Sequence, residues 1–144
     1  MKHELYVSTT SRNALRDDWE FDYPCDALAN AAKRQSVDRA AREQRWREKY
    51  AEVMEKIKAS GVNVREAVAA AMSSYTRNSD RPTVSIDRDL ERDLVECFER
   101  IEIHNRAVEQ YDAWARVLEA QRDRTVRLTQ ADWLYFFGGL DKTE

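Results

Sequence analysis

Between Asp87 and Gln121 the chain contains neither glycine nor proline, and Leu90, Leu94, Cys97, Ile101, His104, Val108, Tyr111, Ala115 and Leu118 recur at alternating steps of four and three. That spacing returns each side chain to one stripe of an α-helix and marks a heptad seam. Asp87 can cap the start by accepting from the first free amides, and Asp89 and Glu91 place negative charge where those amides favour it. Arg122 and Arg124 suit the carbonyl end. Thirty-five residues at 1.5 Å each predict a helix of about 50 Å. So long a helix must bury its seam against something running beside it, which narrows the fold to a helix pair or bundle.

A second helix is predicted within 24–60. Pro24 suits its first turn, no further glycine or proline follows until Gly61, and Gly61 is a good terminator. Trp46, Tyr50, Val53, Met54 and Ile57 form a clear apolar stripe, whereas residues 33–45 offer only Val37, Ala40 and Ala41. Val37 stands nine residues before Trp46, about 180° around a helix. The first half of this helix is therefore expected to be covered on another face by a different element, in preference to a bend near Gln35 and Ser36. Charge supports pairing of the two helices. Residues 31–60 hold nine Lys/Arg against five Asp/Glu, a balance of +4, while residues 89–121 hold four against nine, a balance of −5.

Shorter elements fill the remainder. Glu4–Val7 predicts a short strand, residues 8–18 a short helix, and Trp19, Phe21 and Tyr23 an aromatic connector lying across a core. Asn63 and Glu66 fit an N-terminal capping pair for a helix whose apolar face is Val64, Val68, Met72 and Tyr75 and which stops near Ser74. Residues 76–82 read as a polar loop and 83–86 as an extended entry to the long helix. Thr125–Leu128 alternates like a strand, with Leu5–Val7 as its expected partner, and Thr129 caps a last helix closed by Gly138 and Gly139.

The fold class expected is all-α or nearly so: a long antiparallel helical hairpin with short helices and at most a small two-stranded ribbon at one end. Trp46–Ile57 should lie against Leu90–Ile101, and residues 24–40 nearer Tyr111–Leu118. The chain reads as a single helical domain over 1–144, with a head from 1–30 and 122–144, a helical stem from 31–60 and 87–121, and a distal cap from 61–86. A lone hairpin covers only half its seam, so a homodimer completing a four-helix arrangement is expected.

Function is constrained mainly by what the residues do not spell. A net charge of −3 is too small to indicate a nucleic-acid binder or a mimic of DNA. The sequence has no apolar run of membrane-spanning length and no signal-peptide core near Met1, which predicts a cytoplasmic protein without a membrane partner. Cys25 and Cys97 are isolated and expected to be reduced. His104 lies on the seam and reads as a structural histidine with a polar neighbour, with a pH-sensitive contact as the sharper alternative. Asp89, Glu91, Asp93, Glu96, Glu99 and Glu102 repeat at three and four residues, but the Glu-x-x-His pattern of carboxylate-bridged metal bundles is missing, so they read as a solvated face. No phosphate-binding glycine loop, nucleophile elbow or His-Glu-x-x-His run occurs, and neither catalytic residues, metal nor cofactor are expected.

Two surfaces remain as candidates. Trp133, Tyr135, Phe136 and Phe137 surround a short helix with large apolar groups, too many for one buried stripe. They are the expected partner-binding residues, with Trp133 turned mainly inward and Tyr135 mainly outward. The leading expectation is a non-enzymatic protein–protein interaction module, an adaptor or inhibitor of a larger partner, of the kind found among bacterial and phage or mobile-element accessory proteins. The alternative is a nucleic-acid-associated regulator using Lys33, Arg34, Arg39, Arg42, Arg45 and Arg47, with Arg77 and Arg81 on a loop. The interleaved Asp38, Glu43 and Glu48 weigh against it.

Overall fold

A computed structural model describes residues 20–76 and 87–138. In order, the elements are β1 (Glu20–Pro24), α1 (Cys25–Ala59), α2 (Val64–Thr76), α3 (Arg88–Glu119), β2 (Thr125–Thr129) and α4 (Gln130–Phe137). The long helices α1 and α3 pack against each other as a hairpin, and the two strands form a small antiparallel ribbon. The chain clusters into two compact units, Met1–Asp38 with Ala107–Glu144, and Arg39–Arg106; the first is called unit 1 and the second unit 2.

The helix ends form where the sequence places its caps. Asp87 Oδ1 accepts from the Asp89 amide at 2.7 Å, and its carbonyl accepts from Glu91 at 3.0 Å, opening α3. Gly61 takes a φ of 81°, the left-handed conformation that glycine adopts without steric cost just beyond a helix end. Asn63 Oδ1 then accepts from the Glu66 amide at 3.1 Å and starts α2, which continues to Thr76 rather than stopping near Ser74.

In unit 1 the ribbon pairs Phe21 with Leu128 and Tyr23 with Val126. The expected partner of Val126–Leu128 is therefore corrected: Phe21–Tyr23 fills that place, and Leu5–Val7 lies outside the described residues. The alternation of Phe21 and Tyr23 with Glu20 and Asp22 is the two-residue period of a strand, not of an irregular connector. Phe21 and Tyr23 turn toward the core, while Arg127 ties the outer face to Glu20 at 3.0 Å and Asp22 at 3.5 Å. Pro24 closes β1, and α1 opens directly after it at Cys25. Beneath the ribbon, Leu28, Ala29 and Ala32 of α1 meet Tyr111, Ala115 and Leu118 of α3, with Leu128 and Phe136 completing the cluster.

Unit 2 has its own core, in which Val53 and Ile57 of α1 and Leu94 of α3 are joined by Ala67 and Ala71 of α2. The buried face of α2 is thus Ala67, Ala70 and Ala71, a correction to the expected face of Val64, Val68, Met72 and Tyr75. Val64, Val68 and Tyr75 are half-buried, and Met72 is exposed. Small side chains let the α2 backbone approach its neighbours closely, and that closeness leaves its larger residues at the margin of the contact.

The first half of α1 is covered by elements besides α3: Leu128 of β2 and Phe136 of α4 join the cluster that buries Leu28, Ala29, Ala31 and Ala32, and Gln35 bonds to the end of α4. A heptad stripe of covered positions, Cys25, Leu28, Ala32, Gln35, Arg39, Arg42, Trp46, Lys49, Val53 and Ile57, runs along the helix, and in its first half Ala29, Ala31 and Ser36 beside that stripe are buried as well. Val37, which suggested a different face, is 71% exposed. The stripe is continuous, but over 35–43 polar side chains carry it, and a count of apolar residues does not register them.

Candidate docking surfaces

Three helices of unit 2 enclose an open groove of about 550 Å³, lined by Arg47 and Tyr50 of α1, Met72 and Tyr75 of α2, and Phe98, Ile101, Glu102 and Asn105 of α3. The aromatic rings form its walls. Phe98 lies 5.9 Å from Tyr50 and 6.1 Å from Tyr75 between ring centroids. Met72 stands at the lip, 40% exposed. The polar lining is held from within the chain: Arg47 Nε donates to Glu43 at 2.8 Å, the Tyr75 hydroxyl donates to Glu102, and Arg106 pairs with Glu102 at 2.5 Å. Sequence reasoning placed these residues on helices but did not bring them together, since Met72 and Tyr75 read as core and Arg47 as part of a basic run.

The aromatic helix α4 of unit 1 differs in part from expectation. Thr129 accepts from the Asp132 amide at 3.2 Å and Asp132 accepts from the Thr129 amide at 2.9 Å, a reciprocal cap. That cap satisfies amides at the start of the helix, and Asp132, Tyr135 and Phe136 face inward, all buried. Tyr135 is the correction, because it was expected to face outward and instead stacks on Tyr111 with ring centroids 4.6 Å apart. Trp133 and Phe137 are half-buried, stacked 4.1 Å apart and in contact with Tyr23. Of the four aromatic residues singled out, these two are the ones only partly covered. Gln35 of α1 anchors the far end of α4 by donating to the carbonyls of Phe136 at 3.0 Å and Gly138 at 2.9 Å.

Several residues of the basic stretch are engaged within the chain. Lys33 meets Glu119 at 2.7 Å, and Arg47 meets Glu43. Arg39 and Arg42 lie half-buried on the seam, whereas Arg34 and Arg45 are exposed. Arg77 and Arg81 fall outside the described residues. His104 is fully buried, and Arg39 Nη1 lies 3.3 Å from its Nδ1. A guanidinium can only donate, so Nδ1 accepts in this contact. The polar neighbour expected of a seam histidine is present.

Cys25 and Cys97 are free and buried. Burial is the main cause that raises both thiol pKa values, reinforced at Cys25 by Asp26 and at Cys97 by Glu96 and Asp93, while Arg124 and Lys49 respectively oppose the rise. Among the described residues no group of three His, Cys, Asp or Glu side chains could hold a metal ion, and no helix is long and apolar enough to cross a membrane. Comparison with protein-family models, curated proteins and solved structures finds no match.

Proposed function

We propose that the chain is a protein–protein interaction module, an adaptor or inhibitor that engages its partner without chemistry of its own. The observation that carries this reading is the groove of unit 2, whose Tyr50, Tyr75, Phe98, Met72 and Arg47 are residue types enriched where proteins bind one another. A groove between helices receives an apolar anchor from a second helix, and its rigid aromatic walls limit the entropy lost on binding. Glu102 and Arg47 are held by Tyr75, Arg106 and Glu43, which suits them to orient an incoming chain more than to move protons. Trp133 and Phe137 offer a second, smaller apolar surface in unit 1. The buried thiols fit a reducing compartment such as the cytoplasm.

The test is capture from the native cell by wild-type protein and by Met72→Lys, a change at an exposed position. The expected result is a specific protein retained by the wild type and lost from the variant. Co-purified nucleic acid whose binding weakens steeply with salt, with no protein dependent on Met72, would replace this reading by one based on the exposed arginines.

A further inference from the structure

His104 of α3 is fully buried within unit 2, and α1 sets a cation against it: Arg39 Nη1 lies 3.3 Å from its Nδ1. Two more arginines of this unit keep their Nε atoms out of water, Arg42 one turn beyond Arg39 on α1 and Arg100 one turn before His104 on α3. Of the carboxylates next to these positions in sequence, Asp38 and Glu99 are exposed, Glu43 binds Arg47, and Glu102 takes the Tyr75 hydroxyl of α2 and Arg106. An Nδ1 that accepts from a guanidinium carries no proton. Protonating the imidazole puts a hydrogen on Nδ1, which ends that bond and leaves two donors and two positive charges facing each other, with the ring out of water. We propose that His104 and Arg39 form an acid-sensitive contact, which holds α1 against α3 in unit 2 while the imidazole is neutral and releases it when the imidazole takes a proton. Ile101, one turn before His104, and Asn105, next to it, line the groove, so the contact is built into the helix that forms one of its walls. The device depends on unit 2 alone and stands whatever fills the groove. Burial and the facing cation both make the folded chain hold the imidazole proton less tightly than the unfolded chain does. The contribution of the contact to stability is therefore whole above the ordinary imidazole value of about 6.5 and is lost as pH falls from there toward the lowered one.

The chain has two histidines, His3 and His104, so His3→Gln leaves a single imidazole to follow by NMR in the full chain. Its titration midpoint should lie below about 6.5. Adding Arg39→Gln, which takes away the facing cation, should move that midpoint up by about one pH unit. Burial alone would also lower the midpoint but would give it no dependence on Arg39. Urea unfolding between about pH 7.5 and 5.5, above the range in which ordinary carboxylates titrate, supplies the second readout. The wild type should lose stability across that window, Arg39→Gln should lose less, and His104→Gln, which keeps an acceptor for Arg39 and cannot titrate, should stay level. A midpoint at or above the ordinary value, or one that Arg39→Gln leaves in place, overturns the proposal. So does an acid loss that persists undiminished in His104→Gln. If His104→Gln does not fold, the two titrations decide alone.

Discussion

Tyr111 of α3 lies stacked against Tyr135 of α4, and its hydroxyl donates to the Tyr135 carbonyl at 2.8 Å. One side chain thus supplies apolar contact and satisfies a carbonyl at the end of a short helix that cannot satisfy its own. Tyr111→Phe keeps the ring and removes the donor, so it should cost about 1 kcal/mol in urea unfolding. Tyr111→Ala also leaves a cavity, and the expected loss is about 3 to 5 kcal/mol. Equal losses for the two variants would show that the stacking carries none of the stability.

Adjacent residues of α2 should respond in opposite ways. Ala71 is fully buried and Met72 is 40% exposed. Ala71→Leu forces extra volume between close-packed helices and should destabilise by about 1 to 3 kcal/mol. Met72→Lys should stay within about 0.5 kcal/mol for the monomer. Thermal melts of both variants at dilute concentration check the pair.

The two cysteines report on the two units separately, Cys25 on unit 1 and Cys97 on unit 2. Their thiols are pushed up by burial, so the fold favours the neutral, unreactive form. Reaction with a chromogenic disulfide should be slow in the native protein and fast in denaturant. Tyr111→Ala should accelerate labelling of Cys25 in a Cys97→Ser background. The linkage has a definite sign: a raised thiol pKa leaves stability unaffected below the ordinary thiol range and lowers it as pH climbs from there toward the raised value. Cys97→Ser should flatten that alkaline decline.

Lys33 and Glu119 form an exposed ion pair between α1 and α3. The hydrogen bond from Lys33 is the main cause that holds the Glu119 carboxyl below its usual range, with the lysine charge adding to it. A depressed carboxylate stabilises the fold above the ordinary carboxylate range and loses that contribution as pH falls through the depressed value. Glu119→Gln should therefore matter at neutral pH and not in acid. The difference should shrink in high salt, because both groups face water. Urea titrations at two pH values and two salt concentrations measure it.

The sequence made α3 legible because nearly all its seam is apolar; the buried positions Leu94, Cys97, His104, Tyr111, Ala115 and Leu118 are those its spacing marked. The start of α1 was not, since Ala29, Ala32, Gln35, Ser36 and Arg39 cover the hairpin without the large apolar groups that periodicity detects. The alanine face of α2 was missed for the same reason: Val64, Val68 and Met72 outweighed it by size. Spacing and a cap alone do not fix which face of a short helix turns inward; Tyr135 lies inward against Tyr111 of α3, a contact between distant stretches of chain. The groove was the least legible feature. It depends on three helices bringing Arg47, Met72 and Glu102 together from separate stretches of chain.

Thr129 is at once the last residue of β2, opposite Glu20, and the cap of α4. No spacer separates the ribbon from the helix, so sliding the strand by one residue would swap its faces and misplace the cap together. This stretch consequently has no slack for length variation: a single inserted or deleted residue between Thr125 and Phe136 cannot be absorbed locally. The turn at 120–123, exposed and bonded only through its backbone, can take up such a change. Across any set of descendants of this chain, gaps should collect before Arg124 and be excluded from the dozen residues after it.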